Sequence, residues 1–266
     1  MIAVYVINLA RSPERRAWME SELARAGVEA IFVRAVDGRR FSGRCERLSA
    51  ANANGNALSR AETALILSHR KAWRKLLASG AGHAVVLEDD VHLGEGFRDT
   101  LALDWSRWDF DLVKLETTFD RVWLARRGEA AGGRELRRLG AEHHGAAAYL
   151  VSRAGAERAR ASTRRLDQPV DVALFGRRAI ADGLVTALQL VPAIAVQDNL
   201  HPSADARASL ASTLHESDRK AIAARRKRQR PAGVERVRRE ARRLWEKILR
   251  RIRLSPTMRL TRVPFA

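Results

Sequence analysis

The sequence is poor in residues that cross-link a chain or anchor it in a bilayer. It contains one cysteine, Cys45, among 266 residues, so no disulfide can form within the chain, which is typical of a reducing compartment. No apolar run approaches the roughly 20 residues that cross a bilayer. The apolar run 2–9 is short, contains Asn8 and follows no basic segment, so it is predicted to be a first strand rather than a signal peptide. We therefore expect the body of the protein to be cytoplasmic.

Acidic residues are fewer than basic residues, and most of the excess positive charge lies in one segment. The chain has 49 Lys and Arg against 31 Asp and Glu, which gives a formal net charge of +18. Segment 219–253 holds 16 basic residues and 3 glutamates, a net of +13, which leaves +5 for the rest of the chain. The charge pattern predicts a body at 1–215 and a basic tail at 216–266.

Alternating strand and helix patterns predict an α/β fold in which a mostly parallel sheet is flanked by helices. The β-branched run 2–9 precedes a helix expected from Pro13 to Gly27. A second helix is expected from Ser59 to Gly80, with a glutamate placed for a capping box. The remaining elements are predicted as strands at 30–38, 83–90, 110–116 and 145–152, a loop or hairpin at 125–142, a helix at 153–163, and one or two strands within 184–197.

Three adjacent acids, Glu88, Asp89 and Asp90, follow the apolar part of one predicted strand. In open α/β sheets ligands bind at the carboxyl edge, where such a strand ends. Carboxylates there can hold Mg²⁺ or Mn²⁺, whose charge stabilises a departing diphosphate. The alternative is a solvated strand end with Asp90 as a helix cap. A second acid pair, Asp109 and Asp111, precedes its strand, so we place it at the opposite edge and interpret it as structural.

Seven short motifs occur in a fixed order along the chain. They are "VYVINLARSPERR", "FVRAVDG", "LSRAETALILSHRKAW", "VVLEDDV", "DLVKLE", "GAAAYLVSRAGA" and "PVDVALF". In this order the chain resembles glycosyltransferase family 25 over about residues 2–203. The resemblance implies a GT-A-like fold, a nucleotide-sugar donor, inverting transfer to an acceptor hydroxyl, and a divalent metal, Mn²⁺ or Mg²⁺. One departure lies in "AETALILSH", where Ala61 and Leu65 replace the glycine and cysteine usual in the family.

The resemblance assigns the acid triplet to the metal and the donor. Glu88 and Asp90 are the expected metal ligands, because alternation along a strand puts both on one side. His201 in "QDNLHPS" is a candidate third ligand. Asp89 is expected to face away, towards the donor's ribose or a backbone amide.

Other candidate donor contacts lie near the ends of predicted elements. They are Asn8, Leu9 and Arg11 after the first strand, Asp37 after the second strand, and Ser68 and His69 late on the second helix. Each also has a structural interpretation: a turn with a surface arginine, an Asx turn at Asp37, and a structural histidine. His69 could also meet the acid cluster instead of the donor. Inverting transfer also needs a base, for which Asp171 and Glu116 are the candidates. Asp171 could instead cap the helix that follows it.

The basic tail has three interpretations. Its arginines could bind nucleic acid, remain solvated, or lie on anionic lipid with an apolar stripe in the interface. The stripe consists of Val234, Val237, Ala241, Leu244, Trp245, Ile248, Leu249 and Ile252. We favour the membrane, since acceptors of this family are often membrane-anchored glycolipids.

The predicted function is therefore transfer of a sugar, with UDP-galactose as the family-weighted donor, to a lipopolysaccharide-type glycan at the inner face of the bacterial inner membrane. Two other classes stay open: a basic nucleic-acid-binding protein whose α/β body is not catalytic, and a metal-dependent phosphohydrolase that uses the same acids.

Overall fold

The computed structural model describes residues 2–41, 58–201, 245, 249, 251, 252 and 254–266, and within them the chain has the expected mixed α/β fold. The strands are β1 (Ala3–Asn8), β2 (Ile31–Arg34), β3 (His83–Glu88), β4 (Val91–Leu93), β5 (Leu112–Lys114), β6 (Glu116–Thr117), β7 (Arg121–Ala125), β8 (Glu129–Ala131), β9 (Arg134–Arg138), β10 (Ala148–Ser152), β11 (Ala187–Val191), β12 (Ala195–Gln197) and β13 (Met258–Arg262). The helices are α1 (Pro13–Ala26), α2 (Arg60–Ser79), α3 (Phe97–Leu101), α4 (Arg153–Ser162), α5 (Val170–Phe175) and α6 (Arg177–Ile180). No helix among the described residues is long and apolar enough to cross a membrane.

An eight-stranded sheet, in the order β2-β1-β3-β10-β5-β11-β9-β8, forms the centre of the fold. β1 pairs in parallel with β2 and β3, and β5 with β11. β10 lies antiparallel between β3 and β5, so these two strands run in the same direction. The expectation of a mostly parallel sheet is therefore confirmed, and β1, β3 and β5 end at the same edge.

The first two predicted helices start and stop at the expected signals. α1 begins at Pro13 and ends at Gly27, whose φ of 65° lies in the left-handed region that glycine tolerates. The Ser59 side chain accepts the Glu62 N–H, while the Glu62 side chain accepts the Ser59 N–H, so the capping box at the start of α2 is confirmed. These local signals decide where each helix begins relative to the sheet.

Helices cover both faces of the sheet. On one face, buried residues of α2, α4 and α5, such as Trp73, pack with Tyr149 of β10. On the other face, Met19 of α1 packs with Leu87 of β3 and with residues of α3. Because successive side chains of a strand point to opposite faces, Val86 and Leu87 belong to different cores.

The segment 125–142, expected to be a loop or hairpin, contains a hairpin of β8 and β9. The two strands pair antiparallel, with Ala130 opposite Glu135. Gly132 and Gly133 form the turn at φ of 57° and 78°, as a two-residue hairpin turn requires.

The end of the chain packs against the body, which corrects the predicted division at residue 216. β13 pairs antiparallel with β7, Val263 is buried in the core shared with α2, and the Ala266 N–H donates to the Ala193 carbonyl. Residues 258–266 therefore belong to the body and not to a helical tail. In the remainder of the predicted tail the structure describes residues 245, 249, 251, 252 and 254–257, of which 255–257 form a turn and the others are helical. Cys45 lies outside the described residues.

Removal of side-chain volume at Val263 should destabilise the whole body. Val263→Ala is expected to lower the free energy of unfolding by about 1–3 kcal/mol, because it leaves a cavity in a packed core. Arg259→Ala in exposed β13 is the matched control and should change the free energy by no more than about 0.5 kcal/mol. Urea denaturation measures both values, and equal effects would contradict docking of the chain end.

Candidate active site

The carboxyl ends of β1 and β3 bring the acid triplet beside the turn into α1. Ile7 and Glu88 are paired across the two parallel strands, so Asn8 and Asp89 come next to each other where the strands end. Glu88 lies two residues beyond Val86 and therefore faces α2, while Asp89 turns towards α1. We call the cluster of Asn8, Glu88, Asp89 and Asp90 the acidic corner.

Asp89 is held entirely by the protein. Its carboxylate accepts hydrogen bonds from Asn8 Nδ2 at 2.8 Å, from Arg15 Nη1 and from the Leu9 N–H. Burial raises the pKa of Asp89, although Arg15 and Asn8 act in the opposite direction. Asp89 thus contacts a backbone amide, one of the two partners expected for it, and the ribose contact stays a prediction.

Arg15 is a central residue of the site that the sequence argument did not single out. Its guanidinium contacts Asp89 with one nitrogen and Asp90 Oδ2 with another at 2.8 Å, and its side chain is only 8% exposed. The chain leaves the extended conformation at Asp89–Asp90 and resumes as β4. The alternation of side chains along β3 therefore ends before Asp90, and Asp90 pairs with the same arginine as Asp89. A strand and not a helix follows Asp90, so the helix-cap interpretation of Asp90 is wrong. One signal in the sequence could have identified Arg15. This arginine lies three residues after the helix cap Ser12, in a helix next to a predicted strand that ends in acids.

Glu88 faces a buried histidine. His69 Nε2 lies 3.4 Å from Glu88 Oε1, and His69 Nδ1 lies 2.9 Å from the hydroxyl of Tyr149. Burial lowers the pKa of His69 to about 3, so the ring is neutral at pH 7. Because this ring has no exposed surface, His69 lies beneath Glu88 and does not meet a donor directly.

Ser68 is also structural. Its hydroxyl donates to the Ala64 carbonyl at 2.7 Å and accepts the Val36 N–H at 2.8 Å. This buried hydroxyl ties α2 to the segment after β2, and the donor contact at Ser68 stays a prediction.

Asp37 forms the turn that the sequence also allowed. Its carboxylate accepts the Arg39 N–H at 3.0 Å and pairs with Arg11 Nε at 3.2 Å. Both side chains keep exposed surface, 32% for Arg11 and 18% for Asp37. They form a partly open ion pair next to the acidic corner, where a ligand could still contact either residue.

Glu116 lies at the same edge but is fully buried. Its Oε1 accepts from Lys114 Nζ at 3.1 Å and from the Ala147 N–H at 2.9 Å. Burial raises the pKa of Glu116 and lowers that of Lys114. This burial contradicts the alternative in which Glu116 meets an acceptor hydroxyl.

Asp171 occupies the first turn of α5 and remains 29% exposed. Its Oδ2 lies 3.4 Å from the Gly145 nitrogen and 3.6 Å from His144 Nδ1. Burial alone would raise the pKa of Asp171, but the interactions with His144 and Gly145 outweigh it and lower the pKa. Asp171 is thus an ionised, accessible carboxylate, as a base requires.

His201 has a different environment from the one predicted. Its ring stacks on His92 at 4.0 Å between centroids and meets the Phe265 ring edge-on at 5.6 Å. Across the described ranges, no group of three or more His, Cys, Asp or Glu is arranged to hold a metal ion. The structure therefore does not assemble Glu88, Asp90 and His201 into one ligand set.

Two carboxylates of the acidic corner nevertheless suit a divalent cation that shares its coordination with a diphosphate. Asp90 Oδ1 is buried and accepts no hydrogen bond from the part of the chain that the structure describes. Burial, and then the charges of Asp90, Glu116 and Asp89, raise the pKa of Glu88 well above its usual value. A cation would relieve this crowding, and Mg²⁺ is commonly bound by one or two carboxylates together with substrate phosphates. The donor set of Glu88 and Asp90 fits such an ion.

The bridge made by Arg15 should be a main source of stability at this edge. Arg15→Leu is expected to lower the free energy of unfolding by about 3–5 kcal/mol, because it leaves two carboxylates without their cation. Arg16→Leu is the matched control, since its pair with Glu20 is about half exposed and should contribute no more than about 1 kcal/mol.

Denaturant titration at pH 7 measures both variants. Arg15 lowers the pKa of Asp89, so its stabilising effect requires ionised acids and declines as the pH falls. The deficit of Arg15→Leu should therefore shrink on acidification. Equal losses in the two variants would contradict the role of Arg15.

Comparisons with known proteins find one family and several relatives that this chain is similar to. The model of the family described as glycosyltransferase family 25 (LPS biosynthesis protein) matches residues 1–174. Lacto-N-neotetraose biosynthesis glycosyltransferase LgtB of Neisseria gonorrhoeae is 33% identical over 231 residues, 81% of each chain. LgtE of the same organism is 35% identical over 161 residues, 56% of each chain. A rat relative named probable inactive glycosyltransferase 25 family member 3 is 33% identical over 47% of this chain and 22% of its own.

Among solved structures, a glycosyltransferase involved in glycosylation of the major capsid of PBCV-1 superimposes with a TM-score of 0.40 at 8% identity, covering 74% of this chain and 92% of the other. The family match extends from β1 through the acidic corner to Asp171 and includes the elements that build the site. The chain belongs to glycosyltransferase family 25.

Proposed function

We propose that this protein transfers a sugar from a nucleotide-sugar donor to a hydroxyl of a lipopolysaccharide-type glycan, with inversion at the sugar carbon, on a GT-A-like fold. The observation that carries the proposal is the acidic corner, where Glu88 and Asp90 keep unused carboxylate capacity at the sheet edge. The names of the LgtB and LgtE relatives, which are lacto-N-neotetraose biosynthesis glycosyltransferases, support a role in glycan synthesis. UDP-galactose is the first donor to test because the resemblance to glycosyltransferase family 25 implies it.

The donor is proposed to lie across the carboxyl ends of β1 and β3. The ion pair of Arg11 and Asp37 is available for the nucleotide, and Asn8 with Leu9 orders the turn through Asp89. Glu88 and Asp90 would hold Mn²⁺ or Mg²⁺. When bound, such an ion neutralises charge that develops on the diphosphate leaving group.

Asp171 is proposed as the base. The acceptor oxygen forms a bond to the anomeric carbon of the donor sugar, the bond from that carbon to the diphosphate oxygen breaks, and the acceptor proton passes to the Asp171 carboxylate. The lowered pKa keeps Asp171 ionised at neutral pH, and its partial exposure leaves it open to an acceptor. Attack opposite the leaving group inverts the configuration.

A thermal-shift screen tests the donor and the metal together. UDP-, GDP-, CMP- and dTDP-sugars are tested with and without Mn²⁺ on the wild type, on Asp90→Asn and on Asp109→Asn. We expect metal-dependent stabilisation by one nucleotide class, about 2.7 kcal/mol at a donor concentration 100 times the Kd. Asp90→Asn should lose this stabilisation. The Asn oxygen would keep the place of Oδ2 at Arg15, and the NH2 group that takes the place of Oδ1 cannot bind a cation.

Asp109→Asn is the matched control, since Asp109 is an exposed acid near the amino edge of the sheet. It should keep the full shift. No shift with any donor in folded wild-type protein would overturn the proposal and favour a non-catalytic body. Release of phosphate or free nucleotide without any acceptor would instead favour the phosphohydrolase.

The tail is proposed to hold the enzyme on the cytoplasmic face of the bacterial inner membrane. Trp245, Leu249 and Ile252 are helical, follow three/four spacing and are exposed by 62%, 47% and 66%. Apolar residues on such a face, among many arginines, suit an interface with anionic lipid.

Replacement of Trp245, Leu249 and Ile252 by serine should abolish sedimentation with vesicles that contain anionic lipid. The matched control replaces three exposed apolar residues of the body, Ile31, Leu184 and Leu200, and should bind like the wild type. The difference in binding between anionic vesicles and vesicles of neutral lipid measures how much the basic residues of the tail contribute. Equal binding by both triple variants would contradict the role of the stripe, and preferential binding to DNA would favour the nucleic-acid alternative.

A further inference from the structure

Four side chains from three elements form a buried chain of polar contacts that ends at the acidic corner. Trp73 Nε1 donates to the Tyr149 hydroxyl at 2.8 Å, and this hydroxyl lies 2.9 Å from His69 Nδ1. His69 Nε2 then faces Glu88 Oε1 at 3.4 Å. His69 and Trp73 lie one turn apart on α2, and Tyr149 stands opposite Val86 on the sheet face that also carries Glu88.

The hydrogen-bonding capacities of these groups determine where the protons lie. The indole of Trp73 can only donate, so the Tyr149 oxygen must be its acceptor. Tyr149 then has one O–H to place, and the neighbouring acceptor is His69 Nδ1. A neutral imidazole that accepts at Nδ1 carries its proton on Nε2, which points at Glu88.

The opposite tautomer leaves a buried donor unsatisfied. If Nδ1 carried the proton, the Tyr149 oxygen would accept from both His69 and Trp73, and its own O–H would have no partner in this contact chain. All three rings are fully buried, so water does not replace the missing partner. The first arrangement gives Trp73, the Tyr149 hydroxyl and His69 Nδ1 a partner each. It leaves the His69 Nε2 proton facing the Glu88 carboxylate at 3.4 Å without a formed hydrogen bond.

We propose that His69 is a positioning residue that holds the Glu88 carboxylate through its Nε2–H, and that Trp73 and Tyr149 fix the tautomer that makes this possible. The distance of 3.4 Å is longer than a formed hydrogen bond and is suited to closing when a ligand occupies the site. The catalytic consequence rests on the proposed function, while the tautomer itself does not.

Glu88 needs such a neighbour because its other surroundings disfavour an ionised carboxylate. Asp89, Asp90 and Glu116 add negative charge around it, and Arg15 is committed to Asp89 and Asp90. A neutral donor of fixed direction can orient Glu88 without adding a second buried charge. Carboxylates at metal sites are commonly ordered by such hydrogen bonds, and loss of the partner typically costs about 10- to 100-fold in affinity or activity.

Nitrogen NMR of protein labelled with ¹⁵N-histidine tests the tautomer without any donor. We expect the His69 proton on Nε2, with Nδ1 in the unprotonated range, and His69→Gln identifies the signals by their absence. Tyr149→Phe should weaken the preference for this tautomer, since it removes the O–H that occupies Nδ1. A proton on Nδ1, or fast averaging between the two nitrogens in the wild type, would overturn the proposal.

A matched pair of amides tests the position of the donor group. The nitrogen of glutamine in His69→Gln can reach the place of Nε2, whereas that of asparagine in His69→Asn reaches only Nδ1. We expect His69→Gln to retain most of the metal-dependent donor stabilisation and His69→Asn to lose about 10-fold or more in donor affinity. Equal losses, at equal melting temperatures, would mean that His69 only fills space. Failure of the wild type to bind any donor would concern the proposed function and leave the NMR result standing.

Discussion

The constraint that organises this protein is the cost of placing three adjacent carboxylates at the end of a buried strand. Ionised groups in a low-dielectric interior need a partner, and a single partner cannot serve both sides of a sheet. The fold meets the need separately on each face. Arg15 of α1 pairs with Asp89 and Asp90, and the neutral His69 of α2 faces Glu88. The two helical layers therefore do more than cover the sheet, because each supplies a side chain that contacts the acidic corner.

The same edge contains a second buried cluster of polar contacts, which holds the backbone next to Asp171 in place. Lys114 donates to the carbonyl of His144 at 2.9 Å and to that of Gly145, while pairing with Glu116. A side chain at Gly145 would come within 3.1 Å of Glu116 and 3.2 Å of Lys114, so only glycine allows this approach, at a φ of 98°. The buried pair thus fixes the backbone whose N–H lies against Asp171, and a base candidate gains a rigid support from residues that do not meet the substrate.

Local sequence patterns were sufficient to predict a structural feature wherever that feature depended on residues close in sequence. The capping box at Ser59 and Glu62, the glycine stops of α1 and α2, and the paired glycines of the β8–β9 hairpin all act over a few residues. Patterns failed where the outcome depended on distant partners. The burial of Glu116 comes from Lys114 and the 144–147 segment, and the docking of Val263 comes from β7 and the α2 core, none of which spacing along the chain can show.

The sequence by itself therefore determined the α/β class, the position of the acids at the end of β3 and, through seven ordered motifs, the family. These features follow from periodicity and from residue types that are read within one segment. Only the tertiary structure decided how the acids are shared, because Arg15 reaches them from α1, and His69, which contacts Tyr149 of β10, reaches them from α2. Partners such as Arg15 and Asp89, which lie 74 residues apart, are selected by strand register and helix packing. Register and packing are properties of the assembled fold rather than of any stretch of chain.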